Sequence, residues 1–370
     1  MKRIAILTSS RADYGIYLLL LKALKEDSNF ELHIIAFGTH LSPFHGYTIN
    51  QILKDGFEVS YRIESMLASD TPNAISTAMA LTSLKFADFW KDHQPDFDLV
   101  FCLGDRYEMF AAVIAGIPYG IKFAHLHGGE KTLGAIDNIF RHAITLASKY
   151  HFVSCEAHAK RVEELIQSKE NIFNVGSLSL DNLNTISLFT IEEFLNQFGI
   201  DLKYPTILVT VHPETVNPEN NSANTEELCR TLLKLNKYQV LITLPNADTN
   251  GSVIRKQLLK LPKESDNRIL CIENLGTLGY FSAMHHCSFL MGNTSSGIIE
   301  AASLGKWVIN LGNRQQGRLQ SNNVLDAPFN QEIIRQQIHK IEESLIYTGE
   351  NIYYRGNVAN KICSILEKIV

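Results

Sequence analysis

Between residues 125 and 130 the chain reads His125-Leu126-His127-Gly128-Gly129-Glu130, and Asp137 and Arg141 follow soon after. Imidazoles and carboxylates are the side chains that move protons near neutral pH, and glycine leaves the backbone free to approach a ligand. Asp137 and Arg141 stand four apart, so on a helix they share one face. An ordinary ion pair accounts for those two alone. It does not account for two histidines, two glycines and a glutamate gathered at one point. The His-x-His pair invites a metal reading, but no third ligand at helical spacing accompanies it, so no metal is expected.

A second acid and base stand together in Gly104-Asp105-Arg106. Asp105 and Arg106 either neutralise each other at the surface or face a ligand that Gly104 lets come close. Near the start lies Ser9-Ser10-Arg11-Ala12-Asp13. Here Arg11 is either solvated behind a helix cap made by Ser10 or Asp13, or a forked partner for phosphate. The stretch lacks the G-x-G-x-x-G spacing of a dinucleotide site, so no redox cofactor is expected.

The second half repeats the arrangement with His212-Pro213-Glu214 and with Asn246-Ala247-Asp248. Its most specific pattern is Met291-Gly292-Asn293-Thr294-Ser295-Ser296-Gly297-Ile298-Ile299-Glu300. An apolar run ends in a small, hydroxyl-rich turn that opens a helix. Backbone amides there, with the Ser295 and Ser296 hydroxyls, suit a diphosphate. Glu300, one turn on, can accept two hydrogen bonds from a ribose diol. A serine cap with no ligand is the plain alternative; Glu300 and the later Asn313-Arg314-Gln315 weigh against it.

Each of these groups follows a short apolar run that reads as a strand. In the first half the runs are Arg3–Thr8, Glu31–Gly38, Glu58–Ile63, Leu99–Leu103, Ile121–His125 and Tyr150–Ser154. In the second they are Thr206–Val211, Tyr238–Leu244, Ile269–Glu273, Phe289–Gly292 and Trp307–Leu311. Helix-period segments such as Tyr14–Glu26, Asn73–His93 and Tyr107–Ala115 alternate with them. Several runs are apolar on both faces, as in a parallel sheet covered by helices on both sides. The fold class is α/β, with two doubly wound Rossmann-like domains in series. The expected division is 1–177, 178–350, and a terminal helix over 351–370 that packs back on the first domain. Ligands of such sheets bind beyond the carboxyl ends of the strands, which is where the polar groups fall.

A length of 370 residues suits two domains of roughly 150–200 residues each. Net charge is −5 and mean hydropathy −0.03, so neither nucleic acid nor an anionic membrane is an expected partner. The six cysteines are scattered, without a C-x-x-C pair, and read as reduced thiols. No apolar stretch approaches the ~20 residues of a membrane span, and the first apolar run is cut at Thr8, so a cytoplasmic protein is expected.

At these residues the chain resembles the hydrolysing UDP-N-acetylglucosamine 2-epimerases of sialic-acid-type sugar synthesis. The resemblance rests on Ser10-Arg11-Ala12-Asp13-Tyr14, Gly38-Thr39-His40-Leu41, Gly104-Asp105-Arg106, His125 to Glu130 and Asp137 with Arg141-His142-Ala143-Ile144-Thr145. Further on it rests on His212-Pro213, Asn293 to Gly297 with Glu300, and Ile309-Asn310-Leu311-Gly312-Asn313-Arg314-Gln315. It implies a glycosyltransferase-B-like fold in which two domains face a cleft. The nucleotide would lie mostly on the C-terminal domain and the acid and base groups mostly on the other. The implied reaction removes the C2 proton, expels UDP in an anti elimination, and hydrates the resulting glucal to free N-acetylmannosamine. Asp105, Glu130, Asp137, His212 and His127 are then the candidate catalytic residues. Arg11, His40, Arg106, Arg141, Asn246, Asp248, Ser295, Ser296, Gly297, Glu300 and Arg314 would bind the substrate. No cofactor is implied; a UDP-sugar and UDP are the small-molecule partners, and a homodimer or homotetramer is expected. Some relatives carry glutamate where this chain has His127, so either Glu130 takes over that duty or His127 moves the proton. The nearest alternatives are the same reaction on UDP-2,4-diacetamido-2,4,6-trideoxyglucose and a glycosyltransferase of the same fold.

Overall fold

The structure is a computed structural model that describes residues 1–245, 251–344 and 346–370. It divides into two compact units. The first comprises Met1–Glu130, Asp137–Asn184 and Tyr353–Val370; the second comprises Lys131–Ile136 and Thr185–Ile352.

In the first unit, seven strands run in chain order as β1 (Lys2–Thr8), β2 (Phe30–Phe37), β3 (Tyr61–Ile63), β4 (Leu99–Leu103), β5 (Phe123–Leu126), β6 (Tyr150–Val153) and β7 (Ile172–Asn174). They form one parallel sheet in the order β3-β2-β1-β4-β5-β6-β7. The period of two along β1 shows why both faces must be covered. Ile4 and Ile6 pack with Tyr17, Leu20, Leu21 and Leu24 of the helix Arg11–Glu26 and with Ile362 and Leu366 of the terminal helix. Ala5 and Leu7 point the other way, against Phe86, Trp90, Met109 and Val113. The helix Arg11–Glu26 starts where the Ser10 hydroxyl accepts the Asp13 amide, so the cap belongs to Ser10.

Six parallel strands form the second unit's sheet: β8 (Thr206–Thr210), β9 (Gln239–Thr243), β10 (Ile269–Ile272), β11 (Phe289–Gly292), β12 (Val308–Leu311) and β13 (Val324–Ala327). Their order is β10-β9-β8-β11-β12-β13. Both sheets therefore reverse direction once, between β1 and β4 and between β8 and β11. That reversal opens a crevice at the carboxyl ends, the usual ligand position in doubly wound sheets.

The second unit begins at Thr185 rather than 178, because the helix Leu178–Thr185 belongs with the first unit. Its Asn182 amide donates to the Gly15 and Ile16 carbonyls, and Asp181 accepts the Ala359 amide at 2.9 Å. The terminal helix Val358–Ile369 lies in the first unit. Among the described residues, no helix is long and apolar enough to cross a membrane.

Candidate functional site

In the first unit the polar groups collect beyond β1, β4 and β5. Gly104 leaves β4 with a positive φ of 71°, and the turn delivers Asp105 and Arg106 ahead of the helix Tyr107–Gly116. After β5 the chain turns sharply: His127 is left-handed at φ 64° and Gly129 at φ 79°. A side chain at Gly129 would run into the His158 carbonyl oxygen, so only glycine fits. This turn folds Glu130 back beneath His127, and the His127 Nδ1 to Glu130 Oε1 distance is 2.8 Å.

Arg141 reaches into the same place from the helix Asp137–Ala147. Its guanidinium bonds the Asp105 carboxylate, donates to the His127 carbonyl at 2.9 Å, and lies 3.5 Å from Glu130 Oε2. Asp105, Arg141, Glu130 and His127 thus form one continuous polar chain. Arg141 and Glu130 are buried, whereas the Asp105 carboxylate is 23% exposed. At the far end, His127 Nε2 is buried and has no hydrogen-bond partner among the described residues. Asp137 opens the helix that carries Arg141.

Several contributors take places that the sequence does not signal. Ser154, at the end of β6, lies 3.5 Å from Glu130 Oε1 and 2.9 Å from His158 Nδ1. Glu108 is fully buried and receives Arg106 Nη2 at 2.9 Å. Asp13 is turned inward, taking the Ser9 hydroxyl at 2.6 Å and the Ser9 amide at 3.0 Å. Burial pushes the Asp13 and Glu108 carboxyls up, and the nearby Arg106 charge opposes the rise in both. Arg106 is therefore held by carboxylates of its own unit. The sequence shows these acids but not that they turn inward.

His40 is fully buried, between the Thr8 hydroxyl at 2.9 Å and the Thr48 hydroxyl at 2.8 Å. Burial pushes it down to about 4, and likewise His125 to about 3 and His151 to about 4. The unfolded chain titrates these imidazoles near pH 6.5, so below that pH it binds protons that the folded chain refuses. Their contribution to stability is whole above pH ~6.5 and is lost as pH falls towards 4, with a slope approaching ~1.4 kcal/mol per pH unit for each. Urea titrations between pH 7 and 4.5 are expected to show this steep loss, and His40→Gln is expected to flatten it. An unchanged slope in the variant would remove His40 from the account.

In the second unit, Gly292 ends β11 at φ 140°, where a Cβ would collide with the Thr210 carbonyl oxygen. This close approach lets Asn293 span the point where strand order reverses. Its Oδ1 accepts the His212 amide at 2.7 Å and its Nδ2 donates to the His212 carbonyl at 2.9 Å. The Asn293 carbonyl in turn takes Gln315 Nε2 at 2.7 Å and Arg314 Nη1 at 3.4 Å. His212, Ser295, Ser296, Gly297, Glu300 and Arg314 therefore come together around the carboxyl ends of β8, β11 and β12. The helix Ser295–Ile299 is short, and its cap is the Thr294 hydroxyl, so Ser295 and Ser296 are not spent on capping. Glu300 is buried where that helix ends. Tyr280 is half-buried, and burial of its hydroxyl pushes the phenol up to about 12; it lies against Thr210 and Ser296 and has no signal in the sequence. Asn246 and Asp248 lie outside the described residues. Among the described residues, no group of three His, Cys, Asp or Glu is placed to hold a metal ion.

One doubly wound unit has strands that end in buried acid, imidazole and guanidinium, and the other carries hydroxyls, a carboxylate and an arginine at its switch point, so both are α/β units with polar groups where such sheets bind ligands. The chain belongs to the UDP-N-acetylglucosamine 2-epimerase family, whose model matches residues 22–367. A Campylobacter jejuni relative named GDP/UDP-N,N'-diacetylbacillosamine 2-epimerase (hydrolyzing) is 34% identical over 92% of this chain and 88% of its own. A Legionella pneumophila relative named UDP-N,N'-diacetylbacillosamine 2-epimerase (hydrolyzing) is 32% identical over 100% of this chain and 96% of its own. The fold matches the crystal structure of UDP-GlcNAc 2-epimerase from Neisseria meningitidis bound to UDP-GlcNAc, with a TM-score of 0.82 at 18% identity over 100% of both chains. The chain is thus a UDP-sugar 2-epimerase family enzyme with two Rossmann-like units of the glycosyltransferase-B-like kind.

Proposed function

We propose that this enzyme is a hydrolysing 2-epimerase that converts a UDP-linked 2-acetamido sugar to its free C2 epimer and UDP. The observation that carries the reading is the buried chain Asp105–Arg141–Glu130–His127 at the carboxyl ends of β4 and β5. The C2 hydrogen of such a sugar is weakly acidic, so its removal needs a fixed base, and its return from the other face needs a second proton handler. Both oxygens of Glu130 are already engaged, one by His127 and one by Arg141, behind a buried surface. Glu130 then orients and polarises the imidazole, and His127 Nε2, which has no hydrogen-bond partner among the described residues, carries the proton. Asp105, more open on the other side of Arg141, is the second handler, and Asp137 opens the helix that carries Arg141.

The C2–H bond breaks as the C1–O bond to UDP breaks, leaving a glucal and UDP. Water then adds at C1 while C2 regains a proton. The negative charge growing on departing UDP falls to Arg11, His212, Arg314 and the 295–297 turn. Glu300 takes the ribose hydroxyls. On this reading Ser296→Ala weakens UDP binding by about 1–2 kcal/mol, the scale of one hydrogen bond to a charged group, and Glu300→Gln also weakens it. Calorimetry with unchanged affinity in both would remove that turn from the nucleotide site.

The sugar we place first is N,N'-diacetylbacillosamine, which is the 2,4-diacetamido-2,4,6-trideoxyglucose of the sequence reading. The names of the Campylobacter and Legionella relatives support it over N-acetylglucosamine. Incubation with each UDP-sugar, with the free sugar and nucleotide identified by NMR, tests the choice. Faster turnover of the diacetamido sugar is expected; faster turnover of UDP-N-acetylglucosamine would reverse the order.

A further inference from the structure

The chain leaves the first unit immediately after Glu130, runs through the second unit as Lys131–Ile136, and returns to the first at Asp137. Glu130, which orients His127, and Asp137 therefore flank a six-residue strap that is seated in the unit assigned to the nucleotide. Within that unit the strap is fixed at two loops. The Leu133 amide donates to the Gln316 carbonyl at 2.9 Å, and the Ile136 amide donates to the Thr215 hydroxyl at 2.9 Å. Thr215 continues the His212-Pro213-Glu214 loop after β8, and Gln316 continues Asn313-Arg314-Gln315 after β12. Glu214 ties these two loops together by accepting the Asn313 amide at 2.6 Å.

Between the anchors, Gly134 lies backbone to backbone against the second loop. A Cβ there would strike the Asn313 carbonyl oxygen and stand 2.6 Å from Arg314 Cα. The three nearest obstructing atoms are all main chain, so no flexible side-chain end there can yield. Gly317 approaches from the other side, where a Cβ would sit 3.0 Å from Leu133 Cδ1. Thr132 and Ala135 are buried in this packing.

We propose that Gly134 is a positioning residue: its contact with Asn313–Arg314 makes the diphosphate-binding loops set where Glu130 and Asp137 stand. The inference rests on the nucleotide and proton-handling assignments above. It gives the enzyme a way to link a filled nucleotide site, through six residues of chain, to the placement of Glu130 and so of the His127 imidazole that Glu130 holds.

The test uses the whole enzyme, with UDP as the probe ligand. Gly134→Ala is expected to lower kcat about 10²-fold, the scale of an ångström-level misplacement of reacting groups. KM and UDP affinity by calorimetry should change no more than about threefold, since the loops keep their own hydrogen bonds. Thr215→Val keeps the side-chain shape but loses the Ile136 acceptor. It serves where the alanine variant folds poorly, with a drop in kcat of about fivefold, the weight of one ordinary hydrogen bond. Hydrogen exchange gives the readout that a purely structural role would not move. In the wild type, UDP should slow exchange of the Leu133 and Ile136 amides, and in Gly134→Ala it should not. If UDP binds but leaves those amides unchanged, or if both variants keep wild-type kcat, the strap proposal is overturned alone. If UDP does not bind the wild type, the nucleotide assignment fails and the proposal with it.

Discussion

Glu130→Gln is expected to lower turnover by about 10²–10⁴-fold while UDP still binds, the range that general acid–base groups and their orienting partners contribute. The substitution keeps the shape but replaces a carboxylate oxygen facing His127 Nδ1 or Arg141 with an amide nitrogen. Two donors then meet, or the imidazole turns, and Nε2 no longer presents the right tautomer. His127→Gln should be impaired to a similar degree, and the double variant should lose little beyond either single one, because residues acting as a unit are not additive. Steady-state kinetics on all three, with calorimetric UDP binding beside them, decide the matter. A Glu130→Gln enzyme of near-normal rate would send the search for the base to Asp105 or Asp137.

The second large effect falls on stability. Arg141→Met should destabilise the first unit by about 3–5 kcal/mol, the cost of leaving a buried ion without its partner. Arg141 is the cation shared by Asp105 and Glu130, and its removal also frees the His127 carbonyl from its 2.9 Å donor. Arg141→Lys restores the charge but not the fork that reaches two carboxylates and a carbonyl, so it should recover only part of the loss. Urea unfolding followed by circular dichroism measures this. Stability of the methionine variant within about 1 kcal/mol of wild type would mean that the polar chain is not held by Arg141.

How far the sequence carried can be seen element by element. Leu99–Leu103 is a wholly apolar run between Asp98 and Gly104, and it forms a strand with those bounds. Glu58–Ile63 shrinks to Tyr61–Ile63, because at the sheet edge only that stretch finds a partner, in β2. The edge strands Ile172–Asn174 and Val324–Ala327 carry no strand signal in the sequence, being too short and too exposed to show a period. The strand-end rule located His127, Glu130, Asp105, His212 and the 293–300 segment, since polar residues directly after apolar runs are visible in one dimension. Inward turns are not. That Asp13 and Glu108 face the interior, that His127 adopts a positive φ, and that Lys131–Ile136 belongs to the second unit all follow from packing between distant segments. The helix Leu178–Thr185 shows the same limit: its place in the first unit is fixed by Asn182 and Asp181, through partners more than a hundred residues away.

The route through a glucal is tested most directly by the hydrogen at C2. Elimination removes that hydrogen as a proton and hydration returns one from solvent, so turnover in D2O must exchange it. The enzyme should therefore release a free sugar inverted at C2 and carrying one deuterium there, read by proton NMR as loss of the H2 signal and collapse of its coupling to H1. A free sugar that keeps its C2 hydrogen would contradict elimination, and with it the roles given to His127, Glu130 and Asp105.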